Sequence, residues 1–275
     1  MPYDPWIYRG TAALYTQGRP RYSYELLPTL SAALDLDGTG RLLDVGCGPG
    51  SLTLELAPAF EQVVAVDPDA EMLTEGRRRT AAAGLGNVEW IQALAEDLDA
   101  LDLGPGGFRL VAFGQSFHWT DRERVAEIVY DLLDPGGAVA LISHRVAGRP
   151  TPPDPGHPAI PHDVVRGLID EYLGTQRRAG RGLATASAEP YADALARTRF
   201  GPPTALYAPG RPDIVVSIDD VLANYHSMSY AAPHLFGAAL DDFDAALTGA
   251  LTARSPSGRF WDWPGDTEIL VARRR

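Results

Sequence analysis

The 275-residue sequence predicts an α/β fold: a doubly wound, mostly parallel sheet of seven strands, with a helical cap inserted late in the chain. Two observations carry this. Between residues 41 and 143, short apolar stretches alternate with helix-patterned stretches at the spacing of βαβ units. Those apolar stretches are apolar at consecutive positions, as in strands covered on both faces. A third observation places the cap. After Ser143 the sequence turns rich in proline and glycine, and helical patterns then dominate.

Taken in order, Leu26, Leu27, Leu30, Ala33 and Leu34 fall on one helical face. "RLLDV" is the first strand, "GCGPG" leads into a helix around Leu52 to Ala57, and "QVVAVD" is the second strand. Asp69 is expected to cap the next helix and Gly84 to end it. "NVEWIQ" and "FRLVAF" are two further strands. Thr120 and Glu123 are expected to form a capping box for a helix bearing Val125, Ile128, Val129, Leu132 and Leu133, stopped by Pro135-Gly136-Gly137. "AVALIS" follows as a strand.

"AGRPTPPDPGHPAIPHD" reads as a loop, and Val164, Val165, Leu168, Ile169, Tyr172 and Leu173 make an amphipathic helix beyond it. Ser217 and Asp220 frame another capping box, and "DDFDAALTGAL" is a further helix. "TALYA" and "TEILVA" complete the seven strands. The expected units are a ligand-binding core with an N-terminal covering helix (1–144), a cap for the substrate that includes a late strand (145–236), and a helix plus final strand (237–275).

Net charge is -12 with a sequence pI near 4.9, against a nucleic-acid partner. Every basic side chain apart from histidine is arginine. Cys47 is the only cysteine, so an internal disulfide and a cysteine-held metal are excluded. His157, His162, His226 and His234 lack the helical i, i+4 spacing of a metal pair, and no metal site is expected. The N-terminus shows no charged start followed by an apolar run, and no stretch approaches membrane-spanning length. A cytoplasmic protein without a membrane partner is the expectation.

The glycine loop carries the functional reading. A dinucleotide fingerprint starting from Gly46 and Gly48 needs a third glycine at 51, where the sequence has Ser51. The third glycine is Gly50, and Asp44 lies beneath the loop. An acid there suits a ligand with positive groups better than a diphosphate. S-adenosylmethionine carries an ammonium, a sulfonium, a ribose and an adenine, and no phosphate. Asp67, ending the second strand, is placed to accept both ribose hydroxyls.

"LLDVGCGPG" with "VVAVDPDAEML" resembles the first two motifs of the class I S-adenosylmethionine-dependent methyltransferases, which have a Rossmann-like fold. "VEWIQALAEDL", "AFGQSFHWTD" and "LLDPGGAVALI" are similar to the later ones, so the likeness runs from about Tyr15 to Ser143. The "HW" resembles a small-molecule subgroup of trans-aconitate or ubiquinone type, and "YTQGRPRY" its cofactor-covering helix. The resemblance implies that Tyr15 and Arg19 cover the cofactor, and that Asp44, Gly46, Gly48 and Gly50 surround its methionine part. It implies Asp67 at the ribose, Pro68 beside the adenine, Ala95 and Glu96 flanking the adenine, and Gln115 near the methyl-bearing end. Many relatives have an aspartate for the adenine amino group where this sequence has Leu94; recognition there would then be weaker, water-mediated or supplied by Glu96 or Asp97.

Methyl transfer from a sulfonium is an in-line displacement in which the protein positions the acceptor and excludes water. An acceptor with a proton to lose needs a base, and His118 and His144 are the candidates beyond the fourth and fifth strands. Trp119 is expected to be a packing residue and helix staple, and Cys47 a small filler. The arginines 77 to 79 are expected to face solvent. Tyr225, Met228, Tyr230 and Phe236 are candidates for an apolar wall, and Trp261 and Trp263 for closing the pocket. Ordinary core packing accounts for each at least as well. The acceptor is expected to be a small molecule, with oxygen, nitrogen and carbon all open. Two other readings stand: a non-methylating binder of the cofactor or its product S-adenosylhomocysteine, and an NAD(P)-dependent oxidoreductase, which Ser51 and Asp44 disfavour.

Overall fold

The computed structural model describes residues 4, 6–104, 106–146, 156–176, 178–179, 182–183 and 189–275. The proline-rich stretch after Val146 lies outside the described residues as far as 155.

The chain opens with helices α1 (Ala12–Gly18) and α2 (Leu26–Leu34). It then alternates through β1 (Arg41–Val45), α3 (Ser51–Leu56), β2 (Gln62–Asp67), α4 (Ala70–Ala82), β3 (Val88–Gln92), β4 (Phe108–Gly114), α5 (Arg122–Leu132) and β5 (Leu133–Arg145). The later part holds α6 (His162–Leu173), a two-residue ribbon β6 (Arg178–Ala179) and β7 (Gly182–Leu183), α7 (Tyr191–Ala196), β8 (Thr204–Ala208) and β9 (Ile214–Ser217). It ends with α8 (Ile218–His226), α9 (Pro233–Phe236), α10 (Leu240–Arg254), β10 (Arg259–Asp262) and β11 (Asp266–Arg273).

The seven-stranded sheet has the order β3-β2-β1-β4-β5-β11-β8. The first five strands pair in parallel, and β11 runs antiparallel to both β5 and β8. The consecutive apolar residues are buried on opposite faces of the sheet. Leu42, Leu110 and Ile142 pack under α2 and α3, while Leu43, Val111 and Leu141 pack under α5. The order reverses at β1 and β4, so their C-terminal ends open a crevice where doubly wound sheets bind ligands.

Local signals were mostly obeyed. Asp69 caps α4 by accepting from Glu71 N and Met72 N, and Ser217 with Asp220 forms a full capping box on α8. Two expectations need correction. The cap of α5 is Asp121, whose side chain accepts from Arg124 N, because Thr120 Oγ1 instead donates to the Phe117 carbonyl. Pro135-Gly136-Gly137 lies inside β5 and does not end α5, which stops at Leu132; the β4–β5 register shifts there.

The late helices make their own core. Val165, Ile169, Tyr225, Phe236, Phe243, Leu247 and Phe260 pack together, with α10 contributing its buried face to this cluster. Tyr225 and Phe236 are therefore core residues of the cap, with Met228 and Tyr230 packed against them. Trp261 is buried and its indole N–H donates to the Pro212 carbonyl at 2.5 Å, so it packs the cap instead of closing a pocket.

Helix α1 joins cap to crevice. A Cβ on Gly18 would lie 2.0 Å from Asn224 N, so α1 meets the backbone of α8 directly. Gly18→Ala is expected to push the two helices apart, at about 1–3 kcal/mol for an overpacked contact. A melting midpoint several degrees lower checks this; an unchanged midpoint would refute the close contact.

Candidate functional site

The loop after β1 is tied down by backbone before any side chain acts. Gly46 N and Cys47 N both donate to the Val66 carbonyl, at 2.8 and 3.0 Å. Gly46, Gly48 and Gly50 all have positive φ, the region that favours glycine. Their surroundings differ. A Cβ on Gly46 would sit 2.4 Å from Ser116 Cβ and one on Gly50 2.6 Å from the Trp90 ring, whereas one on Gly48 meets nothing within 4 Å. Two of the glycines thus serve close packing, and only Gly48 leaves open space.

Asp67 holds the loop from the neighbouring strand. Its carboxylate accepts from Gly48 N at 2.8 Å and from Asp69 N at 2.9 Å. Burial raises its pKa to about 6 against those hydrogen bonds. Asp44 is fully buried; one oxygen accepts from Thr53 Oγ1 at 2.6 Å, and the other, Oδ1, has no partner among the described residues. Burial is the main cause that raises its pKa to about 7, with the Asp67 charge adding to it. An unmet buried acceptor of this kind calls for a cationic or N–H partner.

The arginine triplet is less solvated than its composition suggests. Arg79 donates to the Pro49 carbonyl at 2.7 Å and Arg77 to the Trp90 carbonyl at 3.0 Å, so two of the three brace the loop and β3. Arg77 and Arg78, the latter paired with Glu75 on its own helix, are exposed as expected, and Arg79 is the half-buried one.

The N-terminal segment closes over this edge. Tyr15 lies on α1, with the Arg19 guanidinium 4.8 Å above its ring. Arg19 donates to the Ser227 carbonyl of the cap at 3.0 Å, while its Nε is buried without a partner among the described residues. Tyr8 stands edge-on to Tyr15 and Trp119, and Tyr22 stacks on His144 with ring centroids 5.1 Å apart. Burial pushes both phenols above their ordinary range. Trp119 is 42% exposed and packs against Tyr8 and His118, so it is not a core residue.

Beside Asp67 a cavity of about 340 Å³ is lined by Trp6, Arg9, Pro68, Asp69 and Gln92, among others. Gln92 Nε2 donates to the Pro68 carbonyl at 3.0 Å. Ala95 packs against the core from the turn after β3. Glu96 is engaged elsewhere: its carboxylate accepts from Asp121 N at 2.8 Å at the start of α5.

Gln115 follows β4 with φ 57°, a conformation that costs a non-glycine residue energy and recurs at functional sites. His118 comes next, at the surface of the cleft, with Nδ1 2.8 Å from the Tyr191 hydroxyl. Desolvation of its ring, with Arg122 and Arg19 nearby, lowers its pKa to about 4. Burial does the same for His144, again to about 4, and His144 Nδ1 has no partner among the described residues. Both imidazoles are neutral at pH 7. Among the described residues there is no group of three or more His, Cys, Asp or Glu that could hold a metal. No helix there is long and apolar enough to cross a membrane.

Sequence reasoning missed Tyr8, Tyr22, Tyr191, Thr53 and Ser116. Thr53 and Ser116 had a signal, since each follows a motif strand by a short step. Tyr22 had one too, as the last residue of "YTQGRPRY", whereas Tyr8 and Tyr191 had none.

Residues 42–137 match the methyltransferase domain family. The chain is 30% identical over 132 residues to the probable S-adenosylmethionine-dependent methyltransferase CRG1 of Saccharomyces cerevisiae, covering 47% of this chain and 44% of that one. It is 33% identical over 134 residues to the malonyl-[acyl-carrier protein] O-methyltransferase of Enterobacter lignolyticus, covering 48% and 50%. The chain thus spans about half the length of these relatives. The fold is similar to the crystal structure of the [4+2]-cyclase SpnF, with TM-score 0.53 and 18% identity over 98% of this chain and 93% of that one.

Proposed function

From the match of residues 42–137 to the methyltransferase domain family, we propose that the whole chain is a class I S-adenosylmethionine-dependent methyltransferase that transfers a methyl group to a small-molecule acceptor by direct displacement. The observation that carries this is the pair of buried carboxylates flanking the glycine loop, with Asp44 Oδ1 unmet. S-adenosylmethionine, when bound, supplies an electrophilic methyl on a sulfonium. Its ammonium suits Asp44, its ribose suits Asp67, and its carboxylate suits the free Arg19 Nε. Pro68 and Gln92 line the cavity next to Asp67, where an adenine would extend.

The protein's part is to position and to exclude water. Tyr8, Tyr15 and Tyr22 cover the crevice, and Gln115 holds the turn above β4 in its left-handed conformation. His144, with a buried and unpartnered Nδ1, is the base for any acceptor that has a proton to lose. The acidic chain (net charge -12) favours a small molecule over nucleic acid.

A test uses cofactor with an isotopically labelled methyl group and a cell extract. Label is expected in the low-molecular-weight fraction; label confined to protein or nucleic acid would refute the small-molecule reading. A second reading, cofactor binding without methyl transfer, draws support from the likeness to a cyclase. Binding by calorimetry with no S-adenosylhomocysteine formed in any fraction would favour it.

A further inference from the structure

His118 and Tyr191 form a pair that the methyl-transfer reading leaves unexplained. His118 Nδ1 lies 2.8 Å from Tyr191 Oη, and the two rings are nearly coplanar, 9° apart. Tyr191 opens α7, far along the chain, yet it is pinned to the core. Arg122 donates to the Glu189 carbonyl at 2.9 Å and sits 5.1 Å from the Tyr191 ring. Phe117 meets that ring edge-on at 5.6 Å. Arg197 bridges Glu123 and Glu189, and Arg199 bridges Glu127 and Asp131, fastening both ends of α7 along α5. The hydroxyl is thus placed before any ligand arrives.

The proton in this hydrogen bond belongs to one partner or the other. The phenol stays protonated, since burial raises its pKa. Among the described residues, His118 Nδ1 is the acceptor that lies within hydrogen-bond distance of that hydroxyl. The O–H therefore donates to Nδ1, and a neutral imidazole with a proton-free Nδ1 carries its proton on Nε2.

We infer that Tyr191 is a positioning residue that fixes His118 as the Nε2–H tautomer, so that His118 meets the methyl acceptor as a hydrogen-bond donor and not as a proton acceptor. This rests on the methyl-transfer reading for its chemical meaning, though not for its test. A donor beside the reacting atom suits an oxygen that arrives already anionic, such as a carboxylate or an enolate. No proton then has to leave through His118.

The test is long-range proton–nitrogen correlation NMR on the full chain with nitrogen-labelled histidine at pH 7.5, with the His118 signals assigned from His118→Gln. In the wild type, Nε2 is expected to be protonated and Nδ1 bare. In Tyr191→Phe the preference is expected to relax to a mixture of both tautomers. A protonated Nδ1 in the wild type would overturn the inference, whatever the variant does. An unchanged Nε2–H population in Tyr191→Phe would overturn the role of Tyr191. Calorimetry with S-adenosylhomocysteine runs beside it. Loss of binding there would sink the methyl-transfer reading and leave the tautomer result standing.

Discussion

Asp67→Ala is expected to weaken S-adenosylhomocysteine binding at least about 100-fold, or roughly 2.7 kcal/mol, while the far-ultraviolet circular dichroism stays that of the folded chain. One carboxylate does three jobs. It accepts from Gly48 N, it accepts from Asp69 N, and in the proposed complex it receives the ribose. Alanine leaves two backbone donors unmet and frees the loop, so the loss exceeds that of a single ligand contact. Asp67→Asn is expected to fall between the two, because an amide accepts at one oxygen only and its NH₂ opposes the other donor. Calorimetric titration checks the series. Affinity of the alanine variant within threefold of the wild type would remove Asp67 from the site.

The second large effect is on pH. Asp44 titrates at about 7 in the folded chain against 3.8 as the ordinary value, and Asp67 at about 6, both chiefly from burial. A folded-state pKa above the unfolded one means the folded chain holds more protons between those values. Stability of the ligand-free protein is therefore greatest on the acid side and falls as pH rises from about 4 to about 7. For Asp44 alone the loss is on the order of 4 kcal/mol across that window. A cationic ligand favours the carboxylate form, so binding releases protons and tightens over the same range. The rise in melting temperature on adding S-adenosylmethionine is expected to be several degrees larger at pH 7.5 than at pH 5.5. Asp44→Asn is expected to abolish most of that difference and to stabilise the ligand-free chain at pH 7.5. A ligand-induced shift independent of pH would contradict this account.

The sheet was legible in the sequence because its strands are buried on both faces, and that shows as unbroken apolar runs such as "LLDV" and "VVAV". The glycine loop was legible for a related reason. Positive φ at Gly46, Gly48 and Gly50 leaves little choice of residue. Where two residues compete for one role, the sequence misled. Thr120 and Asp121 are both good caps, and only the pull of the Phe117 carbonyl on Thr120 Oγ1 decides between them. Glu96 follows β3 in the sequence, and its tie to the N-terminus of α5 through one carboxylate oxygen is a tertiary contact that the sequence does not show. The aromatic cover was illegible for a different reason. Tyr8 and Tyr191 owe their places to tertiary contacts with Trp119 and His118, which no short-range pattern encodes.

The placement of β11 between β5 and β8 also orders events in time during biosynthesis. Among the described residues strand β8 has no partner in the sheet other than β11, so from Ala208 until Asp266 has been made it has none of them to join. At 5–20 residues per second that wait is about 3–12 s. Throughout it the outer edge of β5, from Ala138 to Arg145, is equally bare. The nascent chain thus carries two sticky strand edges that only one later segment can silence together. Chaperone dependence should concentrate in that interval and end once β11 docks.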